Sequence, residues 1–213
     1  MIIQNSPKLS LHLHVAERTM TLAKIIVQYP TEDEDFKVIK MLSIRTFNAL
    51  GASLNLLLSG YHQKGAMVLR DVLETLFLMD FFRTDRTAIE RWRNADEKQK
   101  KTDFSAIAIR KALDERDGVK TMKRAKAYKM LSELAAHPTM GTQYMLKPEL
   151  DGDMLTGPFM GATILRQGLE EFGKLAVQAG EVMNAFLPEE CNPDDARTSF
   201  ALIKKQWIET FLR

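Results

Sequence analysis

The chain has 213 residues, of which 45% are hydrophobic and 27% charged, and its formal net charge is +2. These values are typical of one globular domain with a sizeable core, and they argue against a disordered or fibrous protein. The single cysteine excludes an internal disulfide, and no apolar run approaches the roughly 20 residues of a membrane span, so we expect a cytoplasmic protein.

Helix signals begin near the start of the chain. Ser6 and Pro7 predict a helix opening, because a serine hydroxyl caps exposed N–H groups and proline is tolerated in the first turn. Apolar residues then recur at helical spacing up to Pro30. Thr31 and Glu34 predict a capping box that opens a second helix.

The third helix, predicted over residues 65–82, is the most apolar segment of the chain. Because it is apolar nearly all the way round, it belongs at the centre of the fold. Arg70 and Glu74 fall on the same face as Phe77 and Phe81, so an ion pair at i, i+4 is expected along an aromatic stripe.

Shorter and more polar helices are predicted in the middle of the chain. A fourth helix covers residues 87–101, and Asp103 is expected to cap a fifth. A sixth covers residues 119–137 and is stopped by Pro138, because a residue before proline is pushed away from helical angles.

The pattern changes near residues 143–157. Asp151 and Gly152 lie between short apolar runs and predict a tight turn. Pro148 argues against a regular strand. We therefore expect a small hairpin-like insertion at this point.

Helical spacing resumes over residues 159–187, and Asn192, Pro193 and Asp195 predict the start of a final helix. With only 11 glycines and 7 prolines, the chain favours long helices over short strands. The sequence therefore predicts an all-α fold, in which residues 1–213 form a single helical domain. Its architecture is expected to be an up-and-down bundle of about eight helices.

Arg70 and Glu74 are the first candidate functional residues, because charged side chains within an apolar helix are costly to bury. They could form an ion pair that fixes the register of the bundle. Alternatively, the guanidinium lines a pocket and binds an anionic ligand, with Glu74 fixing its orientation. Both interpretations stay open from the residues alone.

The end of the sixth helix, YKMLSELAAHPT, carries the second set of candidates. His137 lies at a helix C-terminus, where the macrodipole favours the protonated imidazole. It could cap the last carbonyls, or it could act as a general acid or base or as an anion contact. Tyr128 and Ser132 precede it on the same helix, and we predict that both contact the ligand.

The helix AMVLRDVLET, the later helix that closes with YKMLSELAAHPT, and the hairpin after it resemble a family of uncharacterised bacterial all-α proteins. More distantly, they resemble the HEPN domains of toxin and antiphage systems, over about residues 54–187. The resemblance implies a dimeric helical bundle and a ribonuclease site in which an arginine shortly precedes a helix-end histidine. In this chain Ser132 stands five positions before His137, so Arg70 would have to supply the guanidinium. The catalytic residues implied are His137, Arg70 and Glu74.

Charge is unevenly distributed along the chain. Residues 98–129 contain eleven Lys and Arg residues against four Asp and Glu residues, so the remainder is acidic overall. Such a segment could contact the phosphate backbone of RNA, or it could be an ordinary solvated face. Its only aromatic residues are Phe104 and Tyr128, so a stacking platform for single strands is not indicated.

No cofactor and no metal site is predicted. His12 and His14 are two residues apart, which places them on opposite sides of a helix. Glu149, Asp151 and Asp153 alternate and could hold a hard cation, but a solvated acidic turn fits them better.

Two functions are consistent with these features. The first is a HEPN-like protein that binds or cleaves RNA in a defence or toxin–antitoxin setting, with Arg70, Glu74 and His137 meeting in a cleft. The second is a non-catalytic helical module that binds a small anionic ligand or a protein partner. Whether the chain is an enzyme stays open. Its extensive apolar helix surface also predicts a homodimer.

Overall fold

A computed structural model describes residues 6–149 and 151–212. In this part of the chain there are nine α-helices and no strands, so the all-α prediction is confirmed. The helices are α1 Pro7–Gln28, α2 Glu34–Leu58, α3 His62–Thr84, α4 Thr87–Asn94, α5 Glu97–Thr102, α6 Ala106–Arg116, α7 Lys123–Leu131, α8 Ala162–Asn184 and α9 Asp194–Phe211.

Helix α3 lies at the centre of the bundle, as its apolar sequence predicts. It packs against α2 and α8 on one side and against α6 and α7 on the other. Six of its apolar residues are at most 2% exposed: Leu69, Val72, Leu73, Leu76, Met79 and Phe82. Arg70 and Glu74, which are only partly exposed, therefore lie at the edge of the main core.

Helix α9 closes the bundle over α1 and α8. Trp207 of α9 is 1% exposed, and its indole N–H donates to Nδ1 of the buried His12 at 2.8 Å. The ring of Phe211 stacks on His12 at 4.3 Å between centroids. Gly173 of α8 permits this approach, because a Cβ there would lie 2.3 Å from His12 Nδ1.

The predicted Thr31–Glu34 capping box is wrong. Helix α2 is capped by Asp33, whose carboxylate accepts the N–H of Asp35 at 2.9 Å. The hydroxyl of Thr31 instead accepts the N–H of Asp33 at 3.1 Å. Asp33 is the cap because it stands immediately before the first helical residue, where its side chain reaches the exposed N–H groups directly.

The predicted helix over residues 87–101 is divided in two. Asp96 and Gln99 form a capping box, in which the Asp96 carboxylate accepts the Gln99 N–H at 2.7 Å and the Gln99 side chain accepts the Asp96 N–H at 2.9 Å. This box opens α5, so α4 has to end before it. Ala95 between the two helices has extended backbone angles.

The cap of α6 is also corrected. Asp103 follows the last residue of α5, and Ser105 caps α6 by accepting the N–H of Ala108 at 3.2 Å. Helix α7 begins only at Lys123, later than the prediction that started near residue 119. The backbone enters it through Gly118 and Met122, which have left-handed φ values of 62° and 52°.

The segment between α7 and α8 doubles back without forming a strand in its described residues. The N–H of Leu155 donates to the carbonyl of Leu146 at 2.9 Å, and the N–H of Gly152 donates to the carbonyl of Glu149 at 3.1 Å. These bonds make the segment hairpin-like, as predicted. Helix α8 then starts at Ala162, three residues later than expected.

Phe159 anchors this segment to the beginning of α3. Its N–H donates to the carbonyl of Gly60 at 3.3 Å, and its carbonyl accepts from the buried ring of His62 at 3.1 Å. Gly60 has a left-handed φ of 82°, and a Cβ there would lie 2.5 Å from the Phe159 carbonyl oxygen. Glycine is therefore required for this close approach.

None of the described helices combines the length and the apolar character needed to cross a membrane.

Candidate anion site

Four of the five predicted site residues meet where α7 and the turn after it pack on α3. Arg70 of α3 donates from Nε to the hydroxyl of Ser132 at 3.0 Å. Its Nη2 donates to the hydroxyl of Tyr128 and, at 3.3 Å, to the carboxylate of Glu74. The predicted i, i+4 ion pair on α3 is therefore present, and its guanidinium also links α3 to the sixth predicted helix.

Tyr128 completes a closed polar ring with this ion pair. Its hydroxyl donates to Oε1 of Glu74 at 2.9 Å, so one carboxylate oxygen accepts from both Tyr128 and Arg70. The guanidinium carbon of Arg70 also lies 4.7 Å from the centroid of the Tyr128 ring. Glu74 thus occupies the position at which two donors converge.

A second arginine, Arg110 of α6, reaches the same tyrosine. Its guanidinium carbon lies 4.1 Å from the centroid of the Tyr128 ring, and the residue is only 9% exposed. Its Nη1 is buried and has no hydrogen-bond partner among the described residues. Burying an unpaired donor on a charged group is costly, so this atom stands out chemically.

In the sequence, Arg110 is one of the eleven Lys and Arg residues of the basic segment. A sharper signal was present, since Arg110 lies beside Ile109 and three residues before Leu113, the two buried apolar residues of α6. An arginine next to the apolar stripe of an amphipathic helix is more often buried than its neighbours on the polar face.

Arg70, Glu74, Arg110, Tyr128 and Ser132 form a group that we call the arginine cluster. The charges of this cluster do not balance. Arg70 and Arg110 supply two guanidinium groups. The carboxylate of Glu74 contacts Arg70, and no carboxylate among the described residues forms an ion pair with Arg110. The Arg70 side chain is 23% exposed and that of Glu74 35%, so the ion pair lies at the edge of the core. A partly buried site with one excess positive charge favours an anion.

Glu74 also borders a cleft of about 380 Å³ between α2, α3, α4 and α6. Arg45, Asp71 and Thr75 form the polar part of its lining, and Arg45 donates from Nε to the Thr75 hydroxyl at 3.2 Å. Leu78, Trp92, Phe104 and Ile109 are among its apolar lining residues. The cluster is therefore open to solvent on the Glu74 side.

The turn after α7 is a π-helix, Ser132–Ala136, where a regular α-helix was predicted. The N–H of His137 donates to the carbonyl of Ser132 at 2.8 Å, five residues back. Gln63 of α3 donates to the carbonyl of Ala135 at 2.9 Å, which satisfies an acceptor of the wider turn. π-turns are rare and occur often at functional sites.

His137 is the predicted site residue whose side chain does not join the cluster. It is exposed, and its side chain forms no hydrogen bond, ion pair or ring contact with the described residues. Its backbone N–H, and not its imidazole, caps the Ser132 carbonyl. The structure therefore brings Arg70, Glu74, Tyr128 and Ser132 together, and leaves the imidazole of His137 outside.

Most arginines of the basic segment are engaged in ion pairs. Arg116 contacts Asp80 of α3 at 3.0 Å and Asp117 at 2.6 Å, and Arg124 contacts Asp114 at 2.7 Å. The hydrogen bond from Arg116 holds the pKa of Asp117 well below its usual range. The unpaired positive charge of this segment therefore resides mainly on its lysines.

The histidines considered for metal binding separate as predicted, with His12 fully buried and His14 exposed. Across residues 6–149 and 151–212, no group of three or more His, Cys, Asp or Glu side chains is placed to hold a metal ion.

Comparison of the chain with protein-family models, with curated proteins and with solved structures finds no match. The fold and the arginine cluster define the chain as an all-α helical protein with a partly buried site that contains two arginines. The resemblance to HEPN domains stays a prediction from the sequence.

Proposed function

We propose that this protein is a helical binding module for a small anionic ligand carrying a phosphate or carboxylate group. The observation that carries the proposal is the buried, unpartnered Nη1 of Arg110 beside the Arg70–Tyr128 pair. Guanidinium groups match the geometry of carboxylate and phosphate oxygens through paired N–H donors. The bound anion would supply the acceptor that Arg110 lacks.

In this proposal, the carboxylate of Glu74 occupies the place of the ligand's anionic group when no ligand is bound. Its carboxylate already accepts from Arg70 and Tyr128, and its side chain borders the open cleft. An entering anion competes with Glu74 for those donors, and the rotation of Glu74 toward the cleft would release them. Neutralising Glu74 should therefore strengthen binding, because it removes like-charge competition.

The proposal is tested by titrating the protein with inorganic phosphate and with pyrophosphate in a calorimeter. Arg110→Met should weaken binding by about tenfold or more, because a charge-assisted hydrogen bond is lost while the side-chain volume is kept. Glu74→Gln should tighten it several-fold. Arg18→Met, which removes an exposed arginine of α1 that belongs neither to the cluster nor to the cleft, is the matched control and should bind as the wild type does. Equal affinities for wild type and Arg110→Met would reject the site.

RNA is the second candidate ligand, and one observation favours it. Six exposed lysines of the basic segment pair with no carboxylate in the described chain: Lys98, Lys101, Lys111, Lys120, Lys123 and Lys126. Such lysines can neutralise phosphates and release counterions, which makes binding steeply dependent on salt. Fluorescence anisotropy with a single-stranded RNA should then show an affinity that falls as salt rises, and that falls further in Lys98→Glu/Lys101→Glu.

RNA cleavage in a HEPN-like setting is a separate part of this second candidate. It requires a general acid or base, and His137 is exposed at the end of the π-turn that carries Ser132. Under this candidate, His137→Ala should abolish cleavage of a labelled RNA while leaving binding and thermal stability unchanged. Cleavage that persists in His137→Ala would exclude the histidine as the catalytic group. The cytoplasmic location and the homodimer belong to the same proposal, and light scattering on the purified protein measures the latter.

A further inference from the structure

A two-part cleft lies between α7 and α8, outside the arginine cluster. It consists of two adjoining cavities of about 560 and 340 Å³, which share Met130, Leu131 and Glu171 in their linings. Because they share these residues the two cavities are neighbours, and a ligand that occupies both has to pass Met130 at their border. None of the residues of the arginine cluster lines either cavity.

The larger cavity is cationic. Among its lining residues Glu171 is the one acidic side chain, and the basic ones are Lys123, Arg124, Lys126 and Lys174. Arg124 is held by aspartates, and Lys174 is held by Glu171 at 2.5 Å. Lys123 and Lys126 are exposed and form no ion pair with any described carboxylate. These two lysines are therefore available to an external anion.

The smaller cavity is largely apolar. Gln167, Glu170 and Glu171 are its polar lining residues, and its apolar lining includes Leu57, Ala66, Leu69, Leu134, Met145 and Ile164. Met130, at the junction of the two cavities, is 37% exposed. Methionine side chains are unbranched and polarizable, so they adapt to flexible apolar ligands.

We propose that this cleft binds a single-chain anionic amphiphile, of which a long-chain fatty acid is the simplest. The anionic head lies between Lys123 and Lys126, and the alkyl chain passes Met130 toward Leu134 and Met145. Lys123 and Lys126 line only the larger cavity, and most of the lining on the other side of Met130 is apolar, which is what selects this occupant. An amphipathic helix from a partner would instead present its acidic and apolar faces side by side along its whole length.

The binding is tested by calorimetry with dodecanoate, below its critical micelle concentration, on the full-length protein. One dodecanoate should bind per chain and saturate. Affinity should rise about fourfold for each methylene from octanoate to dodecanoate, because each buried CH₂ contributes to transfer from water. Loss of this chain-length dependence would show that no alkyl chain is buried, and it would overturn the proposal.

The position of the head group is tested by charge reversal. Lys123→Glu/Lys126→Glu should weaken dodecanoate binding by about tenfold or more, since two attractive charges become repulsive. Lys98→Glu/Lys101→Glu on α5 changes the net charge equally but lies outside the cleft, and it should leave the affinity unchanged. Equal effects of the two double variants would overturn the assignment of the head group. Circular dichroism confirms that both variants remain helical.

Further ligands identify the head and exclude other occupants. Dodecyl phosphate binding more tightly than dodecanoate would support the site and assign it to a phosphate head. Dodecyltrimethylammonium binding as well as dodecanoate would overturn the proposal, because its charge is opposite. Displacement of dodecanoate by phosphate alone, at the concentrations that occupy the arginine cluster, would also overturn it by showing that the two sites are one.

Discussion

His12 is the residue whose chemistry the fold changes most clearly. It is fully buried against Trp207 and Phe211, and its Nδ1 accepts the indole N–H, so the ring proton sits on Nε2. Burial, reinforced by the positive charge of Lys174, lowers the pKa of His12 from 6.5 to about 4. A second proton, on Nδ1, would point at the indole N–H of Trp207 and would break this hydrogen bond. The neutral ring is therefore part of the contact between α1 and α9.

This shift predicts a pH dependence of stability. In the unfolded chain His12 takes up a proton near pH 6.5, whereas in the folded chain it does so only near pH 4, so acid favours unfolding between these values. The free energy of unfolding should fall by about 3 kcal/mol across this window, at 1.36 kcal/mol for each pKa unit. Urea unfolding of the wild type and of His12→Gln at several pH values measures the difference. His14→Gln, which alters an exposed histidine, should keep the wild-type slope, and an unchanged slope in His12→Gln would contradict the prediction.

At the same scale, sequence reasoning found part of the arginine cluster. Arg70 and Glu74 were visible because charges interrupt an apolar helix, and Tyr128 and Ser132 because they precede a helix end. Arg110 was hidden within a run of basic residues. The spacing within α6 places it beside the apolar stripe, but its contact with Tyr128 depends on how α6 sits against α7, which the spacing does not reveal.

At the scale of elements, the helices approach most closely where glycine replaces a side chain. A Cβ on Gly173 of α8 would lie 2.3 Å from His12 Nδ1 and 2.9 Å from Trp207 Nε1. A Cβ on Gly51 of α2 would meet only Met20 Cε, at 3.9 Å. Glycine is therefore needed for close packing at Gly173 but not at Gly51.

These two glycines give a matched pair of substitutions. Gly51→Ala should stabilise the protein by about 0.5–1 kcal/mol, because alanine loses less backbone freedom in a helix. Gly173→Ala should destabilise it by about 1–3 kcal/mol, because the new methyl group displaces His12 or Trp207. Thermal unfolding of the two variants measures both effects. Stabilisation by both substitutions would show that α8 and α9 have room to separate.

Helix boundaries show where sequence patterns were sufficient. The Ser6 cap is present, since its hydroxyl accepts the Leu9 N–H at 3.4 Å, and α9 begins at Asp194 close to the predicted start. The π-turn at Ser132–Ala136 could not be predicted, because it depends on bonds from α3, including the one from Gln63. Local signals were sufficient for the starts of α1 and α9, whereas tertiary bonds decide the geometry of the π-turn.

At the scale of the whole molecule, the helices divide into an apolar core and a charged layer. Helices α1, α2, α3 and α8 each bury nine or more residues, whereas α4 buries two, α5 none and α7 one. The all-α class followed from composition and spacing alone. The division into two layers did not follow from the sequence, because it depends on which apolar helix faces pack against each other.

The charged layer is held to the core by a chain of ion pairs centred on Arg116. Arg116 bridges Asp80 of α3 and Asp117 at the end of α6, and Asp117 in turn contacts Arg124 of α7. Since α7 buries little apolar surface, these ion pairs contribute, together with the hydrogen bonds of Tyr128, to holding it on the core. The layer should therefore open locally before the core unfolds.

Asp117→Asn tests this order of opening. The substitution keeps the size of the side chain and removes the charge that orients both Arg116 and Arg124. Amide hydrogen exchange followed by mass spectrometry should become several-fold faster in α6 and α7, while the amides of α1 and α8 keep their wild-type rates, because the core does not depend on this carboxylate. The control is Asp195→Asn, which alters an exposed carboxylate of α9. It should change the exchange rates neither of α6 and α7 nor of α1 and α8. Uniform acceleration in all helices of Asp117→Asn would instead mean that the two layers unfold as one unit, and that the ion pairs stabilise the bundle globally.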